Sequence, residues 1–325
     1  MLAVFLQTLP FFLLIGLGYG SGRSGFFDGA ATAALTKFVF YFALSAMLFK
    51  FAAGLDLAAL FSWEFIWAYL AASLLIYVIA TGVGLWRGVG MAESAVEAQC
   101  AVIGNVGFLG VPLLSLLLGP EAVGPVMLVL AVDLIVFSSL IVILITASRG
   151  GRLRISLIGQ LLMGLLKNPM IGAIVLGLAW AAVEIPMPGP LQAALDILGA
   201  AATPGALFAI GASLAGKSAE RVSVAAWLSF CKLILHPAAV LISALWLFEV
   251  QLAEAGVMIA AAALPVAGNV YILAQHYGVA PQRVSSAILL STLVSIFTIT
   301  AVVAWIDGGG PEAFRAASPL SLGTE

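Results

Sequence analysis

Apolar runs long enough to cross a lipid bilayer follow one another along this chain with almost no charge inside them. Leu2 to Gly20 and Ile155 to Leu166 contain no Asp, Glu, Lys or Arg. A helix needs about 20 apolar residues to cross a hydrocarbon core of roughly 30 Å. Charged residues make up 9% of the chain and hydrophobic ones 63%, whereas a soluble domain carries roughly a quarter charged. So few charges cannot build a water-facing surface, and lipid must be the main solvent. Backbone groups in lipid must be satisfied within their own segment, which dictates helices. Membrane β-barrels would show short alternating segments instead.

The expected fold class is therefore an all-α integral membrane protein of about ten transmembrane helices. Their approximate limits are 2–20, 31–52, 62–86, 92–118, 122–147, 157–183, 190–215, 223–248, 254–277 and 282–306. The Gly/Pro/Ser-rich end, 308–325, is expected to be disordered. No basic n-region precedes the first run, so it reads as a span rather than a secretory signal. Trp63, Trp67, Trp86, Trp180, Trp227, Trp246 and Trp305 fall near span ends, as an interfacial belt would.

Basic residues divide the connections into two sets. The odd-numbered loops hold Arg23, Arg87, Arg149, Arg152, Arg154, Lys217, Arg221 and Arg283, and the even-numbered ones hold Asp56, Glu121, Glu184, Glu249 and Glu254. The positive-inside rule then places the odd loops in the cytoplasm and both termini on the non-cytoplasmic side of the cell (inner) membrane.

The Arg-rich stretch from Ser148 to Arg154 separates residues 1–150 from 151–307, with five spans in each. An odd number per half turns the second half upside down. Gly104-Asn105-Val106 in the fourth span recurs as Gly268-Asn269-Val270 in the ninth, 164 residues later. Ala43 to Phe49 in the second span is echoed by Ala202 to Phe208 in the seventh, 159 residues later. Order and offset agree, which points to inverted repeats, a carrier architecture with its site where two broken helices meet.

Both of those spans carry Gly, Pro and Asn near their middle. Proline removes a backbone donor and clashes with the preceding turn, so Pro112 and Pro265 are the expected helix breaks. Gly104, Gly107 and Gly268 tolerate unwound backbone and leave room for a ligand. A broken helix exposes amide N–H groups that favour an anion. Asn105 and Asn269 add side-chain donors and acceptors. Together with Tyr271 these form the expected substrate-binding set.

The run Gly104 to Pro112 resembles the bacterial auxin-efflux-carrier family. So do Pro204 to Leu214, Lys232 to Pro237, Ala263-Leu264-Pro265 with Asn269, and Asn168-Pro169. The resemblance covers the whole span region. It implies two inverted five-helix repeats, a scaffold domain and a transport domain. It also implies discontinuous, crossing fourth and ninth helices and elevator-type movement. Plant members of the family are homodimers, and the same is implied here. The family's carboxylate-binding Asn corresponds to Asn105. The plant pattern has Pro where this chain has Gly104, and the long plant cytoplasmic loop is missing. Both departures point away from auxin and toward a small mono- or dicarboxylate such as malonate.

Ionisable residues inside spans are functional candidates. Asp133 in the fifth span is a proton or cation site, a partner for a lysine, or a structural hydrogen-bond partner of a broken helix. Lys232 and His236 lie one turn apart in the eighth span. Both are candidates for coupling to a proton or sodium ion. The simpler expectation is that Lys232 snorkels to the headgroups and His236 caps carbonyls freed by Pro237. Lys37 should snorkel, Glu93 and Glu97 should form a solvated entrance, with an ion gate as the alternative, and His276 should be interfacial.

The leading functional expectation is a secondary carrier for a small organic anion; the alternative is an anion channel or a ligand-sensing membrane module. An enzyme is not expected. Two His and two Cys residues, Cys100 and Cys231 within apolar runs, give no metal-ligand spacing. No Walker-type loop points to a nucleotide cofactor. A formal net charge of −2 without a basic tail gives nucleic acid no footing.

Overall fold

The computed structural model describes residues 2–54, 62–149, 159, 163, 167–216 and 222–317. Arg152, Arg154, Lys217, Arg221 and Asp56 lie outside the described residues, as does most of 157–166. Among the described residues the chain is all-helical, without a strand.

The helices are α1 (Leu2–Arg23), α2 (Gly29–Ala53), α3 (Trp63–Trp86), α4 (Met91–Val102), α5 (Val106–Leu118) and α6 (Pro120–Ser148). They continue as α7 (Pro169–Ala182), α8 (Gly189–Ala215), α9 (Val222–Leu247), α10 (Leu252–Ala262), α11 (Gly268–Tyr277) and α12 (Pro281–Asp307). Six of them, α2, α3, α6, α8, α9 and α12, are long and apolar enough to cross a membrane; α5, α7 and α10 are shorter apolar helices. Helix ends follow local chemistry. Asp28 accepts from the Ala31 N–H at 2.7 Å to open α2, and Asn168 accepts from Met170 to open α7.

Two packing groups stand out. In the first, α1 lies along α8 and α7 lies along α2. The α1–α8 contact is a backbone contact. A Cβ on Gly211 would sit 1.9 Å from the Ile15 carbonyl oxygen, and one on Gly18 would sit 2.1 Å from that of Phe208. Only glycine lets helices approach this closely, and in lipid such packing takes over from the hydrophobic drive between helices. In the second group, α3 packs on α4 and α9, α10 packs on α6, and α12 packs on α4, α9 and α11. Phe11, Leu48, Phe65, Tyr69, Phe137 and Leu207 are among the buried core side chains. Trp63, Trp67 and Trp86 stay exposed near helix ends.

The end of the chain departs from expectation. Residues Gly310–Ala316 form α13, a short helix. Phe314 stacks on Trp246 with ring centroids 4.6 Å apart, and Arg315 donates to the Val250 carbonyl. A half-buried aromatic pair supplies ordering energy that composition did not suggest. Residues 318–325 lie outside the described residues.

Candidate functional site

The segment expected as the fourth span is interrupted between α4 and α5. Ile103 takes extended backbone, and Asn105 has φ −75 and ψ 52. The segment expected as the ninth span is interrupted between α10 and α11, at residues 263–267. The two interruptions pair with each other. Gly104 and Val266 form an antiparallel bridge. The Asn105 N–H donates to the Pro265 carbonyl at 2.8 Å, and the Ala267 N–H donates to the Ile103 carbonyl at 3.0 Å. Each break thus satisfies backbone groups that unwinding would otherwise orphan in a dry interior. The Val266 N–H is taken by the Ser291 hydroxyl of α12 at 3.1 Å. Pro265 has no N–H to lose, so its place in the break costs no helical hydrogen bond.

Pro112 is not at a break, contrary to expectation. It follows a π-helical turn at Val106–Gly110 and stands in the first turn of regular α-helix. The widened turn removes the clash that a proline imposes on the carbonyl one turn back. The interruption falls earlier, at Gly104, where a Cβ would meet the Ala261 carbonyl and the Lys232 Cε and Nζ, each at 3.3 Å. A side chain there would press on both, so glycine is the residue that fits without a shift of its neighbours.

Asn105 is 6% exposed and stands directly before the first turn of α5. The first N–H groups of a helix have no intrahelical partner. Gly107 is buried against Met170 of α7. On the other strand of the crossing, Gly268 is exposed in open space and starts α11. Asn269 and Tyr271 are half-buried. The Asn269 Oδ1 is buried without a hydrogen-bond partner among the described residues. The structure thus brings Gly104, Asn105, Gly268 and Asn269 to one crossing, with the starts of α5 and α11 on either side.

Beneath the crossing lies a cluster of fully buried polar side chains. Lys232 is 0% exposed, which overturns the expectation that it snorkels. Its Nζ donates to the carbonyl of Ala262, the last residue of α10, and contacts His236 Nδ1 at 3.2 Å. A cation at that helix end complements the negative end of the helix dipole. The His236 Nε2 meets the Ser73 hydroxyl of α3 at 2.9 Å. One turn along α3, the Tyr69 hydroxyl donates to Asp133 Oδ1 at 2.9 Å, and Tyr69 meets the His236 ring edge-on at 5.7 Å. Asp133 and Lys232 each sit in a π-helical turn, Asp133–Phe137 and Cys231–Leu235. Such turns widen the helix and re-aim side chains. Asp133 Oδ2 has no hydrogen-bond partner among the described residues.

A second ionic cluster closes the start of α4. Glu97 is 1% exposed, not solvated as expected. Both Arg87 guanidinium nitrogens reach its carboxylate, at 2.9 and 3.2 Å. Arg283 at the start of α12 reaches Glu97 at 2.9 Å and Glu93 at 3.0 Å. The bidentate fork compensates the burial of the carboxylate. His276 and Lys37 are exposed. Cys100 and Cys231 are free and buried.

The sequence reading passed over Tyr69, Ser73 and Ser291. Tyr69 and Ser73 sit one turn apart on a largely apolar helix, a spacing that was visible. Ser291 carried no signal, because nothing local says that it faces a break in another helix.

An all-helical membrane protein with two interrupted helices paired over a buried lysine has the construction of a membrane transporter. The sequence model of the family described as "Membrane transport protein" matches residues 3–303. The chain belongs to this family, that of the auxin efflux carriers. It is 31% identical over 315 residues to a protein of Rhizobium meliloti (strain 1021) named "Putative malonate transporter", covering 94% of this chain and 97% of that one. It is also 28% identical over 311 residues to "Uncharacterized transporter YfdV" of Escherichia coli (strain K12), covering 92% and 96%.

Proposed function

We propose that this membrane transporter is a secondary carrier of a small organic anion, a mono- or dicarboxylate such as malonate, working by elevator-type alternating access. The paired interruptions at Gly104 and Val266 are the observation that carries the reading. They put two helix starts and the Asn105 and Asn269 amides around one point, where positive backbone dipoles favour a carboxylate. The malonate name of the Rhizobium relative supports the substrate class.

In this reading α4 with α5 makes one membrane crossing and α10 with α11 makes another, giving ten in two inverted repeats. Mirrored packing supports it. The first half's α1 lies on α8 as the second half's α7 lies on α2, and α4 lies on α12 as α10 lies on α6. The α1–α2–α7–α8 group serves as the scaffold and the other group as the moving body. Both termini then face away from the cytoplasm, with Arg23, Arg87, Arg149 and Arg283 inside, in keeping with the positive-inside rule. The cluster of Asp133, Lys232 and His236 couples substrate movement to a proton or sodium ion, supported by its direct hydrogen bond to the end of α10.

Counterflow in proteoliposomes tests the reading. A carrier exchanges external labelled malonate against internal unlabelled malonate. Flux that is indifferent to internal substrate would indicate a channel instead.

A further inference from the structure

A cavity of about 480 Å³ opens between α5 and the α1–α2–α8 group, away from the helix crossing. Phe11, Met47, Pro112, Ser115 and Thr203 line it, and Lys50 and Asp196 stand in it. Its walls come from the first packing group and from α5: Phe11 from α1, Met47 and Lys50 from α2, Asp196 and Thr203 from α8, Pro112 and Ser115 from α5. Pro112 lies seven residues beyond Asn105, roughly 10 Å along the helix at 1.5 Å per residue. Two stacked rings, Phe40 of α2 and Phe108 of α5, have centroids 6.2 Å apart. Along both helices this pair precedes the cavity-lining residues: Phe108 falls between Asn105 and Pro112, and Phe40 comes before Met47.

We infer that this cavity is an entry vestibule for the carboxylate substrate, with Lys50 as its anion contact and the Phe40–Phe108 pair as the partition between vestibule and crossing. The inference rests on the carrier reading given above. Lys50 is the cavity's one basic lining residue among the described residues, and it is paired with Asp196. The two side chains are 39% and 44% exposed. An ion pair so exposed to water contributes little to stability. Lys50 can therefore exchange the Asp196 carboxylate for an incoming one of the same chemistry at small cost. Asp196 acts as a resident competitor that keeps the vestibule neutral when empty. Thr203 offers a hydroxyl, the Ser115 hydroxyl already donating to the Pro112 carbonyl, and Phe11 and Met47 offer an apolar wall for the carbon skeleton.

The test uses Lys50→Gln, Asp196→Asn and the charge swap Lys50→Asp with Asp196→Lys. Malonate binding is measured calorimetrically in detergent, and malonate counterflow in proteoliposomes. Lys50→Gln is expected to weaken binding and raise KM about tenfold with kcat unchanged, the signature of lost uniform binding. Asp196→Asn is expected to lower KM, because Lys50 loses its competitor, and the swap is expected to stay impaired. Equal damage from both single variants, or rescue by the swap, would mark a purely structural ion pair and overturn the inference. Wild-type protein that binds no malonate overturns it as well. Lys50-dependent binding without counterflow keeps the vestibule and removes the carrier reading.

Discussion

The backbone N–H of Asn105 donates to the carbonyl of Pro265 at 2.8 Å, so the gap in one helix is the hydrogen-bond partner of the gap in another. Neither unwound segment is tolerable alone in a lipid-embedded protein, since each bare peptide group costs several kcal/mol there. As a pair they form a stable crossing, and the residue after one bridge position is Asn105 itself. The Asn105→Ala variant should keep this backbone bond and lose only the side-chain amide. We expect malonate counterflow to fall about 10- to 100-fold in kcat/KM, the value of one hydrogen bond to a charged group. The melting temperature should stay within a few degrees of wild type. Unchanged transport would remove Asn105 from the site.

Ser291 holds the second gap from outside it. Replacing it with alanine leaves the Val266 N–H without a partner in a dry interior, at a cost of about 1–3 kcal/mol. Ser291→Thr retains the hydroxyl and should recover most of that loss. Thermal unfolding in detergent checks the order wild type, threonine, alanine.

Lys232 ties α10 to α9 and, through His236, to α3. Lys232→Met keeps the length and removes the donor to the Ala262 carbonyl. The expected result is folded protein, less stable by about 1–3 kcal/mol, with transport strongly reduced. Transport at wild-type rate with lowered stability would restrict Lys232 to a structural role.

Glu97 is the buried centre of two arginine contacts. Glu97→Gln should destabilise the protein by about 3 kcal/mol, because both guanidinium groups then face a neutral amide. Arg87→Gln should cost less, since Arg87 is a quarter exposed and Arg283 continues to pair with Glu97. Equal melting temperatures for the two variants would contradict this ranking.

At Gly211 even one methyl group meets the Ile15 carbonyl. Gly211→Ala should force α1 off α8 at a cost of about 1–3 kcal/mol, the usual range for overpacking. Gly216→Ala, at a position with nothing within 4 Å, should be nearly neutral and serves as its control.

Element by element, the reading of the chain was uneven. Helix limits such as 62–86 and 282–306 fall within a residue or two of Trp63–Trp86 and Pro281–Asp307, because hydropathy and bilayer thickness act on each segment independently. The repeated Gly-Asn-Val was legible for the same reason, being a local composition that tolerates unwinding. Pro112 misled, because the effect of a proline depends on whether the preceding turn can widen. Lys232 misled because snorkelling and burial differ only in what surrounds the side chain. The short helix at Gly310–Ala316 was missed because its stabilising partner, Trp246, is far away in sequence.

Local pattern therefore sufficed for the solvent, the helical class, the segment limits and the two points of weakness, since each depends on residues adjacent in the chain. Pairing is another matter. That Asn105 meets Pro265, that Ser291 seals a gap in a neighbouring helix, and that Lys232, His236, Ser73, Tyr69 and Asp133 come together were settled by packing. Those contacts join residues from four helices and the two interruptions, and their free energies arise from burial and hydrogen bonds that exist only once the helices have docked.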